Sequence, residues 1–315
     1  MKLNNWFNFN KLNFNKFKFN SNLEKLLLLF IVIIVALLIK NLFKIKNIEE
    51  FTSKSKKFIL KKNNEIYDDF YVSVYDDLVY SDVKNDFEIG VIVNKTKPSS
   101  SSYILDIGSG TGHHVGQLCN KGYKAIGIDI SPSMIKKSRK NYPKCKFINN
   151  DMLKTINFHQ NTFTHITCLY FTIYYIKNKK QFFDNCMYWL MPGGYLILHL
   201  VNKYKFDPIL PISNPLAIIN PQKYASKRIT TSVAKFQNYD YKSDFVLKGD
   251  KVVFNETFKN KKNGNVIKHE LDLHIEKQSY ILSLAKSSGF ILLSTTEMSK
   301  CNYDSQYIYV LQKPN

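Results

Sequence analysis

Tyr103-Ile104-Leu105-Asp106-Ile107-Gly108-Ser109-Gly110-Thr111-Gly112 is an apolar run that empties into a glycine-rich turn, and Gly127-Ile128-Asp129 closes a second apolar run seventeen residues after the last glycine. That spacing predicts strand, turn, crossover helix and parallel strand, the βαβ unit that holds a nucleoside-bearing ligand. Glycines let the backbone turn sharply and approach a ligand closely. A carboxylate ending the second strand can accept hydrogen bonds from both ribose hydroxyls. A lone GxGxG is weak evidence, so the reading depends on what surrounds it.

Downstream, short apolar runs alternate with helical stretches. Strands are expected at 103–107, 125–129, 146–148, 165–170 and 195–201, with crossover helices between them. From about Asn202 the pattern changes to period two, over 228–236, 252–258 and 266–275, with Lys262-Asn263-Gly264-Asn265 as a turn between the last two. A helix near 276–288, stopped by Gly289, and strands at 290–294 and 306–312 complete the chain. The expected fold is α/β: a doubly wound, mostly parallel, seven-stranded sheet with an antiparallel β insertion after strand five and an N-terminal hydrophobic helix. Upstream of the glycine turn, Ile66, Phe70, Tyr71, Val74, Tyr75, Leu78 and Val79 recur at helical spacing, enough for one or two helices against the sheet.

The first sixty residues differ from the rest. Residues 1–22 alternate aromatic or Leu residues with Asn and Lys and read as a low-complexity tail. Leu26–Ile39 contains no polar side chain; as a helix it rises about 21 Å against a hydrocarbon core of about 30 Å. With Lys25 and Lys40 snorkelling, 23–43 reaches about 31 Å, enough for one span. The lead is long and lacks small residues at a cleavage position, which disfavours a signal peptide, and the segment shows no polar face for burial in a soluble domain. The expected organisation is a tail at 1–22, a transmembrane helix at 23–43, a linker at 44–65 and a catalytic domain at 66–315, with 202–275 as a lid. The protein is expected to be single-pass, its catalytic domain facing the cytosol.

The net charge is +20, but residues 1–62 hold 13 Lys against 3 Glu, half of the excess. Only Arg139 and Arg228 are arginines, so nucleic acid ranks low as a partner. Five cysteines without CxxC spacing suit a reducing compartment and give no zinc site; no metal is expected.

Four stretches together resemble the class I S-adenosylmethionine-dependent methyltransferases, in particular the small-molecule group: Leu105–Gly112, Gly127-Ile128-Asp129-Ile130-Ser131-Pro132-Ser133-Met134, Asn150-Asp151-Met152-Leu153, and Trp189-Leu190-Met191-Pro192-Gly193-Gly194-Tyr195. The resemblance covers roughly 66–312 and implies S-adenosyl-L-methionine as cofactor. It places the turn of Gly108, Ser109, Gly110 and Gly112 beneath the methionine part, with Asp106 anchoring the turn or the amino group. It also places Asp129 on the ribose, Ile130 beside the adenine, Asp151 on the adenine amino group and Met152 along the ring. Singly, each has a bland reading: Asp151 suits a turn, Ser131-Pro132 a helix start and Pro192-Gly193-Gly194 a helix stop. Dinucleotide-binding dehydrogenases share the acid after strand two but not the last two stretches. The chain departs from the family at Thr164, where Phe163-Thr164-His165-Ile166 lacks the common acid.

Methyl transfer from a sulfonium is an in-line displacement with a leaving thioether that needs no proton, so a general base is optional. The acceptor pocket is expected past the strands' carboxyl ends, near Tyr71, Tyr75 and the residues after strand four. Tyr170 and His199 are its polar candidates for the chemical step, although wall and core roles compete for both. DNA methyltransferase tetrapeptides and the paired glutamates of protein arginine methyltransferases are missing. The expected acceptor is a small molecule, a lipid or a membrane-associated protein, with RNA methylation and a noncatalytic membrane-tethered scaffold as rivals. Oligomeric state is not readable.

Overall fold

The computed structural model describes residues 58–213, 222 and 224–315. The tail and the span expected at 23–43 lie outside the described residues. Among the described residues no helix is long and apolar enough to cross a membrane.

The sheet that carries the glycine turn has seven strands: β2 (Tyr103–Ile107), β3 (Lys124–Asp129), β4 (Lys146–Asn149), β5 (Phe163–Cys168), β6 (Leu190–Val201), β11 (Ile291–Met298) and β12 (Tyr303–Gln312). Their order is β11-β12-β6-β5-β2-β3-β4. The pairs β2–β3, β3–β4, β2–β5 and β5–β6 are parallel, and β12 runs antiparallel to both its neighbours. The α/β expectation and its mostly parallel seven-stranded sheet hold. β2 sits in the middle with Ile104–Ile107 buried, as a strand covered on both faces requires. Strand order reverses between β2 and β5, and the crevice beyond their carboxyl ends is where open α/β sheets bind ligands.

Two helices precede the sheet. α1 (Asp69–Val79) starts at Asp68, whose side chain accepts from Tyr71 N, and buries Phe70, Tyr71, Val74 and Leu78. α2 (Asp82–Thr96) is capped by Ser81 and ends where Lys97 turns left-handed ahead of Pro98. The helical spacing of Ile66 to Val79 allowed one or two helices, and two form, with the break at Tyr80 and Ser81. α3 (His113–Asn120) and α4 (Pro132–Asn141) cross over between strands, the second capped by Ser131 with Pro132 at its first position. α5 (Thr172–Tyr175) and α6 (Lys179–Trp189) join β5 to β6, and α7 (Gln278–Ser287) precedes β11.

The second sheet has five strands in the order β1-β10-β9-β8-β7. β7 (Thr231–Lys235), β8 (Tyr239–Lys248), β9 (Lys251–Asn260) and β10 (Val266–His274) form an antiparallel meander. Two features differ from expectation. β8 had no counterpart, because its inward positions include Ser243 beside tyrosines and so carry little apolar signal. Residues 58–62, read as linker, form β1 (Phe58–Lys62), which pairs parallel with β10; flanking lysines hid a three-residue apolar run, Phe58-Ile59-Leu60. The inner face of this sheet rides on α1. Phe70 meets Tyr239 and Phe258 edge-on or tilted, and buried Glu256 accepts from Tyr71 (3.0 Å) and Tyr241 (2.6 Å) hydroxyls. The insertion is thereby coupled to a helix whose Tyr75, Asp76 and Val79 line the central cavity.

Candidate active site

The glycine turn is held from below. Gly108 N and Ser109 N both donate to Ile128 O (2.8 and 3.1 Å), and Gly112 N donates to Ser109 O (2.9 Å). A Cβ on Gly127 would lie 2.5 Å from Ser109 Oγ, so glycine there lets the turn settle onto β3. Asp129, at the end of β3, accepts from Gly110 N through Oδ2 and from Ser131 N through Oδ1, both at 2.9 Å. One carboxylate thus ties the turn to the start of α4 and keeps acceptor capacity for a ligand hydroxyl. Burial pushes its carboxyl above the usual aspartate range, against the pull of those backbone donors. Asp106, buried at the base of the turn, accepts from Thr167 Oγ1 (2.6 Å) and is likewise raised by burial.

Above the turn lies a cavity of about 470 Å³. Asp106, Gly108, Ser109, Gly110, Asp129, Ile130, Asp151 and Met152 all line it; Gly112 does not, and serves instead as the left-handed start of α3. Asp151 uses Oδ1 to accept from Leu153 N (2.9 Å), the turn-forming role its sequence also allows, while its side chain remains at the cavity. Eight of the nine cofactor-site candidates therefore converge on one space.

The two candidates for the chemical step separate. Tyr170 lines the cavity in a left-handed conformation (φ 52°), uncommon for a bulky residue and held here by its neighbours. Lys84 Nζ lies 4.8 Å from its ring centroid, and burial pushes its hydroxyl well above the usual tyrosine range, so it remains a protonated hydroxyl. His199 is fully buried on β6, 3.6 Å from Glu88 Oε1, and is not among the lining residues. Burial pulls its ring down to about 3, which keeps it neutral. Thr164 lies at the start of β5, away from the crevice, where its hydroxyl meets both Tyr103 N (2.9 Å) and Tyr103 O (3.1 Å).

The helices before the glycine turn contribute residues that the motifs do not mark. Thr111 donates to Asp76 (2.6 Å), His113 stacks on Tyr80 at 3.8 Å between centroids, and Lys84 and Glu88 form a buried ion pair on the wall, with His114 Nε2 2.8 Å from the Glu88 carboxylate. The buried face of α2 mixes Lys84, Asn85, Glu88 and Thr96 with Ile89, Val91 and Ile92, so its sequence pattern does not single the two charges out.

The chain fits S-adenosylmethionine on its own geometry. Ser109 Oγ is buried at the cavity without a hydrogen-bond partner among the described residues, and a turn bare of side chains passes beside an acid able to take hydroxyls. Comparison with known proteins agrees. A family model described as a methyltransferase domain matches residues 104–194. No curated protein matches the chain. Among solved structures, an S-adenosylmethionine-dependent methyltransferase from Clostridium acetobutylicum superposes with a TM-score of 0.58 at 18% identity, over 78% of this chain and 98% of that one. The CcbJ methyltransferase of Streptomyces caelestis gives 0.60 at 14%, over 80% and 100%. The sugar N-methyltransferase KedS8 of a Streptoalloteichus species gives 0.55 at 16%, over 74% and 88%. At such identities the structural likeness speaks for the fold, while the family match and the cradle speak for the chemistry. Residues 104–194 carry a methyltransferase domain, and the fold around it is the one shared by S-adenosylmethionine-dependent methyltransferases.

Proposed function

We propose that the protein is a membrane-anchored methyltransferase that passes the methyl group of S-adenosylmethionine to a small or amphiphilic acceptor. The carrying observation is the cavity itself. Its volume falls in the range of small-molecule sites, and Tyr67, Tyr75, Tyr170, Phe171 and Tyr175 wall it beside the glycine turn. Similar folds include the sugar N-methyltransferase above and an amino pentose methyltransferase from Micromonospora echinaspora, which favours a small acceptor here. Support for the anchor is the apolar character of 23–43 alone, and the lysine bias around it favours a cytosolic catalytic domain.

When bound, the cofactor supplies a methyl group on a sulfonium that departs as a neutral thioether. Asp129 would take the ribose hydroxyls, Asp151 and Met152 would meet the adenine, and the bare backbone of Gly108–Gly110 would let the methionine portion pass. The aromatic walls exclude water and present π faces to a cationic centre. Their main contribution would be alignment, orienting the acceptor's lone pair toward the group the cofactor would supply. Tyr170, protonated, orients the acceptor through its hydroxyl rather than acting as a phenolate base.

Incubating the full-length chain with methyl-labelled S-adenosylmethionine and a panel of small amines and alcohols, with and without phosphatidylcholine vesicles, tests the reading. Label in a small molecule or lipid supports it. Label confined to added RNA, by a chain that binds the cofactor, would reject the acceptor class. Recovery of the chain in the supernatant of those vesicles would reject the anchor.

A further inference from the structure

Tyrosines wall one side of the cavity: Tyr67 just ahead of α1, Tyr75 on α1, Tyr170 after β5 and Tyr175 on α5. The Tyr67 ring lies 6.4 Å from that of Tyr75 and 6.1 Å from that of Tyr175 between centroids, and the hydroxyls of Tyr67 and Tyr175 meet at 2.5 Å. This wall adjoins the glycine turn, since a Cβ on Gly110 would come within 3.9 Å of the Tyr75 ring. Behind it, Tyr71 meets the Tyr67 ring edge-on at 5.5 Å and donates to Glu256 on β9. Glu256 is buried, also accepts from Tyr241, and has Oε2 3.4 Å from His269 Nδ1. Around the cavity carboxylates outnumber ammonium groups, with Asp76, Glu88, Asp106, Asp129 and Asp151 against Lys84 and Lys177.

These groups discriminate among the nucleophiles that can take a methyl group. An anionic acceptor, a carboxylate or thiolate, is repelled by the surplus of carboxylates. A hydroxyl or carbon acid loses a proton as it reacts and needs a base within reach. Burial holds the hydroxyls of Tyr67, Tyr75, Tyr170 and Tyr175 above the usual tyrosine range, so they stay protonated. The other titratable groups nearby are already partnered: His113 with Tyr142, His114 with Glu88, Asp76 with Thr111, and Asp129 with Gly110 and Ser131. A neutral amine needs no base in the transfer step. Its lone pair bonds the methyl carbon, the electron pair of the bond that breaks stays on sulfur, and the positive charge passes to nitrogen. We propose that the acceptor is an amine nitrogen, and that Tyr67, Tyr75, Tyr170 and Tyr175, backed by Glu256, form the cage that receives it. The incoming amine gives its proton to water before the step, and the cage then faces a nitrogen that gains positive charge, which aromatic faces and a buried carboxylate stabilise. This assignment rests on the methyltransferase reading above and names its acceptor class; through Glu256 it also gives the inserted sheet a part in specificity.

Calorimetric titration of the full-length chain, saturated with S-adenosylhomocysteine, compares choline with the dimethylbutanol that is its uncharged carbon isostere. Choline is expected to bind about 3- to 30-fold tighter, the worth of a cation against aromatic faces. Tyr175→Leu, at a ring 36% exposed, should reduce that preference without disturbing the core. Glu256→Gln keeps an oxygen for the Tyr71 and Tyr241 hydroxyls, and should reduce it while leaving the affinity for the alcohol unchanged. With methyl-labelled S-adenosylmethionine, label should enter benzylamine in preference to benzyl alcohol. Equal affinity for the two probes, a preference that survives both variants, or label reaching the alcohol no less than the amine would overturn the cage, while bound S-adenosylhomocysteine leaves the cofactor reading intact. Failure of the unaltered chain to bind S-adenosylhomocysteine would overturn both.

Discussion

Replacing Gly112 with alanine tests how the glycine turn is held. Gly112 stands at φ +91°, and a Cβ there would lie 2.8 Å from Phe147 Cζ and 2.9 Å from Ser138 Cβ. Phe147 and Ser138 are buried against the sheet and have nowhere to retreat. The left-handed backbone alone costs an L-residue about 1–2 kcal/mol, and overpacking adds about 1–3 kcal/mol. The expected loss is therefore about 2–5 kcal/mol. Gly122 separates the two causes, since its φ is +88° but nothing lies within 4 Å of its would-be Cβ. Gly122→Ala should lose only the backbone part, about 1–2 kcal/mol. Gly90, inside α2 with open space around it, should gain up to about 1 kcal/mol as alanine. Urea denaturation of the three variants gives the ranking, and each kcal/mol should move the thermal midpoint by about 2–4 °C in a domain of this size. Gly112 N also closes the turn on Ser109 O, so the same variant should weaken S-adenosylhomocysteine binding while Gly122→Ala does not. A Gly112→Ala protein no less stable than Gly122→Ala would refute the packing of α3 against Phe147 on which the turn depends.

Three further predictions follow from single groups. Because burial raises the Asp129 carboxyl, the native state holds that proton more tightly than the unfolded chain. Its contribution to stability is full below the ordinary aspartate range near ~4 and is lost as pH rises through the folded value. Ribose hydroxyls favour the ionised form, so S-adenosylhomocysteine affinity should fall as pH drops through that same window, and calorimetry across pH should lose this dependence in Asp129→Asn. Lys179 Nζ donates to Ile176 O (2.7 Å) and His274 O (3.0 Å) and pairs with Glu276 (2.8 Å); Lys179→Met should cost about 2 kcal/mol in urea denaturation, by undoing the tie between α6 and the end of β10. Thr164→Asp, which puts an acid where the family resemblance would place one, should lose about 1–3 kcal/mol because a carboxylate cannot donate to Tyr103 O, and should leave cofactor affinity unchanged because the residue is remote from the cavity.

The parts legible in the sequence are those where local pattern and tertiary role coincide. Ile104–Ile107 is buried on both faces, so apolar run and central strand are the same statement, and Ser131-Pro132 caps a helix whatever surrounds it. β8 escaped because its inward side chains include Ser243 and hydroxyl-bearing Tyr239 and Tyr241, which a hydrophobicity pattern scores poorly although their rings fill the core. β1 escaped because its partner β10 lies some two hundred residues away and nothing local announces the pairing. In the site, the acids at strand ends converge because strand order fixes where strands end. The depth of a side chain along a strand is another matter. β6 continues past His199 to Val201, which leaves that ring against Glu88 instead of at the cavity. Lys84 and Glu88 were hidden for the converse reason: α2 precedes the glycine motif, and only the packing of α2 against the sheet brings its charges to the cavity wall.

Calorimetric titration of S-adenosylmethionine and S-adenosylhomocysteine into the chain, beside Asp129→Ala, addresses the cofactor most directly. Asp129 ties Gly110 to Ser131 and supplies the acid at the end of β3, so both ligands should bind the unaltered chain and lose most of their affinity in the variant. Binding that survives Asp129→Ala undiminished would place the cofactor elsewhere, and no binding to the unaltered chain would contradict the methyltransferase assignment itself.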